Sequence, residues 1–175
     1  MAALLRERRI GFALIGAGAL AVHGVGRATR DLDLFALAAE LLQPETWRTL
    51  RSAGIDVRIA RGDLQDPLAG VVRLSAPPEH PIDVIVGKSP WQSNILRRTR
   101  VVAIEGVEVP VAAPADLILM KLYAGGSQDM WDVEQLLAGP EGLTARAEVE
   151  ATLGTLPLEC RRLWERIRRG GDRPA

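Results

Sequence analysis

Phe12-Ala13-Leu14-Ile15 is an apolar run that ends abruptly at Gly16, and this stop constrains the fold more than any other feature of the chain. A short apolar run closed by glycine predicts a buried strand. Ala17 to His23 contains no proline and predicts a helix after the turn. Leu32 to Phe35 is apolar again, with Asp31 at its mouth, and predicts the next strand. Strand, glycine turn, helix and strand must therefore follow one another within a short stretch, which suits a sheet with helices packed on it.

The rest of the chain divides at about residue 112. Before it, strands are expected at Ile55 to Ala60, Val71 to Leu74 and Ile82 to Val86, and a hairpin over Val101 to Val111 turning near Glu105-Gly106. Helices are expected at residues 2–9, Pro44 to Ala53 and Pro90 to Arg97. After it the pattern is helical throughout: Pro114 to Tyr123, Asp129 to Leu137, Ala145 to Leu153 and Leu158 to Arg169. Ser127 reads as the N-cap of the second of these. The expected fold class is α/β (α+β): a mixed sheet flanked by helices over 1–112, with a C-terminal helical section over 113–170 packed on it as a single domain. Residues 171–175 are expected to be a frayed tail.

Composition excludes several classes. The chain has 175 residues, 47% of them hydrophobic, enough for a core without staples. With 22 basic and 22 acidic side chains, no global field favours nucleic acid or a membrane surface. The single cysteine, Cys160, forms no internal disulfide, and no Cys/His cluster has zinc spacing. The apolar run from Ile10 to Val25 is interrupted by glycines and His23, too often for a membrane span. A reducing, cytoplasmic compartment is expected.

Asp31 and Asp33 lie two apart on an expected strand, so both carboxylates leave one face while Leu32 and Leu34 point to the other. Two hard oxygen ligands converging in this way suit Mg²⁺ or Mn²⁺, which take one or two carboxylates with substrate phosphates. The turn before them reads Gly16-Ala17-Gly18. Glycine lets backbone approach a ligand closely, and the start of a helix offers unpaired N–H groups that suit phosphate. Arg27 and Arg30 add charge, and Thr29 stands between them. The plain alternative for Asp31 and Asp33 is an acidic solvent face, which does not call for the turn and the arginines as well.

Gly16, Ala19-Leu20, His23-Gly24, Arg27, Thr29 and Asp31-Leu32-Asp33-Leu34-Phe35 together resemble the signature of the nucleotidyltransferase superfamily with the DNA polymerase β-like catalytic fold. More closely they are similar to small bacterial AbiEii-type toxin nucleotidyltransferases. The resemblance implies a metal-dependent transfer of a nucleoside monophosphate from a nucleoside triphosphate to a hydroxyl of RNA such as tRNA, a protein or a small molecule. It implies that Asp31 and Asp33 hold the metals, that Gly16, Ala17, Gly18, Arg27 and Thr29 line the nucleotide site, and that a toxin role brings an antitoxin protein as partner. The turn here carries no hydroxyl where that group has Thr or Ser. That departure supports an alternative, a catalytically weak nucleotide-binding or protein-interaction module on the same fold.

The resemblance also implies a third acid on a later strand. Asp83, alone in the apolar run Ile82 to Val86, is favoured, since a lone carboxylate among Ile and Val needs a cation or a hydrogen-bond partner. Asp83 would ligate metal and help deprotonate the acceptor hydroxyl. Asp56 and Glu108 are its rivals. A second segment, Pro114-Ala115-Asp116-Leu117 through Lys121, Asp129 and Asp132, is similar to the segment following the catalytic strands in the same group. There the lysine and aspartates are implied to bind or orient the nucleotide. The plain alternative is that Lys121 snorkels and Asp129 favours a helix dipole. Arg161, Arg162, Arg166, Arg168 and Arg169 make a basic last helix, read as a solvated face rather than an RNA contact.

Overall fold

A chain that reverses at a glycine keeps the next segment close to the strand it has just left. Gly16 has φ +60°, the left-handed region that glycine enters without steric cost. In the computed structural model, which describes residues 1–26, 28–29, 31–64 and 66–171, this turn joins β1 (Phe12–Ile15) to α2 (Gly16–Val22). A short helix, α1 (Ala2–Glu7), precedes it. The contacts divide the described residues into two compact units, 1–19 with 28–112 and 20–26 with 113–171.

The first unit is built on a seven-stranded mixed sheet. β1 pairs antiparallel with β2 (Leu32–Ala36) and parallel with β7 (Val107–Val111). β2 pairs parallel with β5 (Ile82–Gly87). β4 (Leu68–Ser75) runs antiparallel between β5 and β3 (Asp56–Arg61), and β6 (Arg100–Ile104) closes a hairpin on β7. The order β3-β4-β5-β2-β1-β7-β6 makes β2 the central strand.

Alternation then sorts side chains by face. Ile59, Val72, Val84, Leu34 and Leu14 are register partners across five strands and form one apolar row. Val72 and Val84 in it are fully buried, which contributes about 1.5–3 kcal/mol for each such side chain. A 3-10 turn at Ala39–Leu42 packs over β3, β4 and β5. There Gly70 is obligatory, since a Cβ would lie 2.8 Å from Leu42 Cδ2 and 2.4 Å from the Ala60 carbonyl oxygen. Trp47, fully buried, donates from Nε1 to the Leu41 carbonyl at 2.7 Å. On the other face Phe35 is covered beside Gln92, whose Oε1 accepts the Lys88 and Ser89 N–H groups at 2.9 Å each. Farther along that face Val71, Arg73 and Ser75 stay half-exposed, so the sheet is open there.

The second unit is helical: α5 (Pro114–Ala124), α6 (Ser127–Ala138), α7 (Gly142–Thr152) and α8 (Leu158–Gly171). Pro114 opens α5 and Gly125, at φ +75°, ends it. α8 buries Cys160, Trp164 and Ile167 on one stripe. Its arginines are turned to partners and solvent: Arg168 meets Glu150 at 3.2 Å, Arg169 meets Glu165 at 3.7 Å, and Arg161 donates to the Gly154 and Leu156 carbonyls. Burial pushes the Cys160 thiol up, away from the reactive thiolate. Among the described residues no helix is long and apolar enough to cross a membrane.

Three departures from expectation concern helices and their starts. The helix expected over Pro44 to Ala53 is a 3-10 turn at Pro44–Trp47 followed by α3 (Arg48–Ser52). Pro90–Gln92 likewise forms a 3-10 turn ahead of α4 (Ser93–Arg97). Ser127 is the first residue of α6 rather than its cap; Gly126 is the cap, and its N–H donates to Asp129 Oδ2 at 3.1 Å. The carboxylate at the third helical position reaches back to the cap N–H, the half of a capping box that a glycine cap leaves available.

The β6–β7 turn carries positive φ at both central residues, 49° at Glu105 and 80° at Gly106. That is the two-residue hairpin geometry in which Asn-Gly is favoured and Glu is strained. Glu105→Asn is expected to raise stability by about 0.5–1 kcal/mol, read as a higher urea midpoint at unchanged slope.

Candidate active site

Adjoining the apolar row, one step along the strands and on the opposite face, lies a polar one. Arg58, Arg73, Asp83, Asp33 and Ile15 are register partners across β3, β4, β5, β2 and β1. Partners on neighbouring strands point the same way, so Asp33 and Asp83 leave the same face about 5 Å apart at the backbone. Asp31 lies two residues before Asp33 and shares that face. Asp31 is positioned from behind by Thr29, whose Oγ1 donates to the Asp31 carbonyl at 2.9 Å and accepts the Asp31 N–H at 3.3 Å.

Carboxylates this close need a counter-charge, and Arg73 supplies it. Its guanidinium donates from Nη2 to Asp31 Oδ2 at 3.0 Å and from Nη1 to Asp83 Oδ2 at 3.1 Å. The fork spans one acid just before β2 and one on β5, a geometry that a lysine ammonium does not reproduce. Arg73 and Asp31 are 43% and 36% exposed, so solvent screens the pair and it contributes on the order of 1 kcal/mol. Asp83 is more enclosed than Asp31, at 17%, and its Oδ1 is buried with no hydrogen-bond partner among the described residues. Burial raises its carboxyl above the ordinary range; Arg73 opposes this and Asp31 reinforces it.

Gly16 closes the other end of the row. A Cβ there would fall 2.0 Å from Asp33 Oδ2, so glycine is required by contact as well as by φ. Ala17 is buried. At Gly18 a Cβ would sit 3.3 Å from Leu14 Cδ1, and the small residue lets α2 lie close against that side chain. Arg27 and Arg30 lie outside the described residues. Asp56 is paired with Arg58 at 2.9 Å in an exposed bridge, and Glu108 is exposed on β7.

The donor set fits a divalent cation in its chemistry: three hard carboxylates on one face, an orphaned oxygen on the buried one, and a cationic group already lying across two of them. As they stand, no three His, Cys, Asp or Glu side chains among the described residues close on a single point. Arg73 was not anticipated from the sequence. Its only signal is a lone charge in the apolar strand Val71-Val72-Arg73-Leu74, and its meaning depends on register with Asp83.

In the helical unit, Lys121, Asp129 and Asp132 come together. Lys121 Nζ lies 2.6 Å from Asp132 Oδ2 and 2.9 Å from Asp129 Oδ1. Asp132 is fully buried, so its charge requires the lysine. The cluster ties α5 to α6.

No family model and no curated protein matches the sequence. Solved structures do match the fold. The solution structure of the antibiotic-resistance factor ANT(2'')-Ia superimposes with a TM-score of 0.53 at 14% identity, covering 86% of this chain and 83% of that one. Its crystal structure with adenylyl-2''-tobramycin gives 0.52 at 12% identity, covering 87% and 92%. A looser likeness, TM-score 0.48 at 13% identity over 76% and 89%, is to the lincosamide antibiotic adenylyltransferase LnuA with lincomycin bound. The mixed sheet with its flanking helices is thus a nucleotidyltransferase-like fold.

Two outcomes follow. Because the folded state raises the Asp83 pKa, its contribution to stability is full below the unfolded value of 3.8 and is lost as pH rises through the folded value. Asp83→Asn, melted in EDTA, is therefore expected to be more stable than wild type at neutral pH, with the gain shrinking under acid. Lys121→Met leaves Asp132 buried without its cation and is expected to cost about 3–5 kcal/mol in urea unfolding. Loss of nucleotide binding without that destabilisation would assign Lys121 to the ligand instead.

Proposed function

We propose that this chain is a nucleotidyltransferase that moves a nucleoside monophosphate from a nucleoside triphosphate to a hydroxyl acceptor. The observation that carries the reading is the register of Asp33 with Asp83, with Asp31 beside them, on the central strands of a nucleotidyltransferase-like sheet. In the reaction the acceptor oxygen attacks the α-phosphorus, the bond to the pyrophosphate oxygen breaks, and pyrophosphate leaves with its electron pair. Mg²⁺ or Mn²⁺, when bound, supplies charge neutralisation at the phosphates and lowers the pKa of the attacking hydroxyl. Asp31 and Asp33 would hold it from the open face, with Asp83 as the third ligand.

Asp83 is also the residue suited to take the hydroxyl proton. Its buried Oδ1 has no hydrogen-bond partner among the described residues, so that oxygen is open to a proton donor. Thr29 bonds the Asp31 backbone, and Gly16 brings the turn against the Asp33 carboxylate, so the N–H groups of Gly16-Ala17-Gly18 are the candidates for phosphate contact. Arg27 is a candidate for further phosphate charge from sequence alone.

The acceptor is open to three classes, tRNA or other RNA, a protein, or a small molecule. ANT(2'')-Ia has been solved holding adenylyl-2''-tobramycin, so hydroxyl-bearing antibiotics belong in the acceptor screen. The AbiEii-type resemblance adds a toxin role with a separate antitoxin, in which case tRNA and protein are the acceptors to test first. The Gly-Ala-Gly turn, without a hydroxyl, favours one second reading: a module that binds nucleotide and turns over weakly.

Thermal shift with each of the four nucleoside triphosphates, with and without Mg²⁺ or Mn²⁺, is the first test. At least one triphosphate is expected to stabilise the protein only when metal is present, and Asp31→Ala and Asp33→Ala are expected to abolish that shift. Radiolabelled transfer to tRNA, lysate protein or aminoglycosides should then fall about a hundredfold or more in either variant. No stabilisation by any triphosphate with metal would sink the enzyme reading; stabilisation with no transfer to any acceptor supports the binding module.

A further inference from the structure

The Arg73 guanidinium lies where a cation between Asp31 and Asp83 would lie, and this has a consequence for how the site is loaded. We propose that Arg73 is the resident cation of the carboxylate row: it holds Asp31 and Asp83 together in the empty site and must be displaced by the incoming divalent metal, so it sets the metal affinity. The proposal rests on the nucleotidyltransferase reading above.

Four observations carry it. First, the backbone of Arg73 is fixed by register opposite Asp83, so the fork returns to the same two acids whenever the site is empty. Second, the side chain is 43% exposed, so it has solvent to swing into without unpacking the sheet. Third, both of its bonds go to Oδ2 atoms, while Asp83 Oδ1 is buried without a hydrogen-bond partner among the described residues. That oxygen retains a ligand position the guanidinium does not satisfy. Fourth, Asp33 stands in register with Asp83, so a third carboxylate adjoins the pair that Arg73 bridges. Arg58, its neighbour on β3, is not a substitute: it is exposed and engaged by Asp56 at 2.9 Å.

A ligand that occupies the same oxygens as a metal competes with it. Removing that ligand raises metal affinity, whereas removing a merely structural arginine lowers it by loosening the acids. The two roles therefore predict opposite signs. The free Mn²⁺ signal in electron paramagnetic resonance measures the affinity directly, without nucleotide and without turnover. Arg73→Gln is expected to bind Mn²⁺ about tenfold more tightly than wild type, a gain of about 1.4 kcal/mol, and to melt at a lower temperature when metal is absent. Arg73→Lys keeps the charge but loses the fork and should fall between the two. Arg58→Gln removes an equal charge from the same row without touching Asp31 or Asp83, and its Mn²⁺ affinity should stay at the wild-type value.

Equal or weaker Mn²⁺ binding by Arg73→Gln, with wild type binding normally, overturns the proposal and leaves the nucleotidyltransferase reading intact. A matching gain in Arg58→Gln overturns it as well, since general charge would then be the cause. If Arg73→Gln does not fold, Arg73→Lys decides the question by the same sign. Failure of every variant and of wild type to bind Mn²⁺, together with no metal-dependent nucleotide shift, removes the proposal and the function reading together.

Discussion

Two ionised carboxylates on adjacent strands repel, and sheet register leaves them little room to separate. That constraint governs the first unit. Asp33 faces Asp83 across a parallel pair, about 5 Å apart at the backbone. Sheet pairing does not allow a small slip to relieve this, because a one-residue shift would turn Leu34 and Val84 out of the core. The charge is therefore managed by side chains. Arg73 is delivered to the row by the β4–β5 register, and Gly16 removes the Cβ that would otherwise strike the Asp33 carboxylate. The glycine that lets the chain turn and the glycine that makes room for the acid are the same residue.

The helical unit meets a similar problem with a different outcome. Asp132 is fully buried, and Lys121 reaches it at 2.6 Å while also meeting Asp129. Asp129 in turn accepts the Gly126 N–H at the start of α6. Each carboxylate has a cation at bonding distance, and the lysine is largely shielded from water. In the sheet, by contrast, the guanidinium that bridges Asp31 and Asp83 is nearly half exposed. The first arrangement is a lock between helices, and the second is a cluster open to solvent. Exposure of the cation, more than the number of acids, separates them.

Much of this was legible in the sequence where periodicity and glycine carried the signal. β1 falls at Phe12–Ile15 as expected, and β5 and the β6–β7 hairpin lie within a residue of their predicted ends. β4 is longer than expected, beginning at Leu68 rather than Val71. Ala69 and Gly70 give no apolar signal, yet Gly70 is there because Leu42 leaves no space for a side chain. The 3-10 turn at Ala39–Leu42 was missed because one turn is too short to show a period. Asp31, Asp33 and Asp83 could be picked out by their place among apolar neighbours. Their mutual register, and hence the role of Arg73, could not, because register is a pairing of strands that no single strand encodes.

The same geometry explains why such a row persists at a cost in stability. A half-buried aspartate whose carboxyl is pushed up by burial would be better replaced, for folding alone, by a neutral or apolar residue. Val84 and Val86 are fully buried on the opposite face of the strand, while Asp83 shares its face with Asp33 and Arg73. Partial burial of its carboxylate argues against it on folding grounds alone. A residue that breaks the local pattern without gaining a full set of partners marks a place where the sequence serves something other than folding. Asp83, with one oxygen on Arg73 and the other buried without a hydrogen-bond partner among the described residues, meets that description.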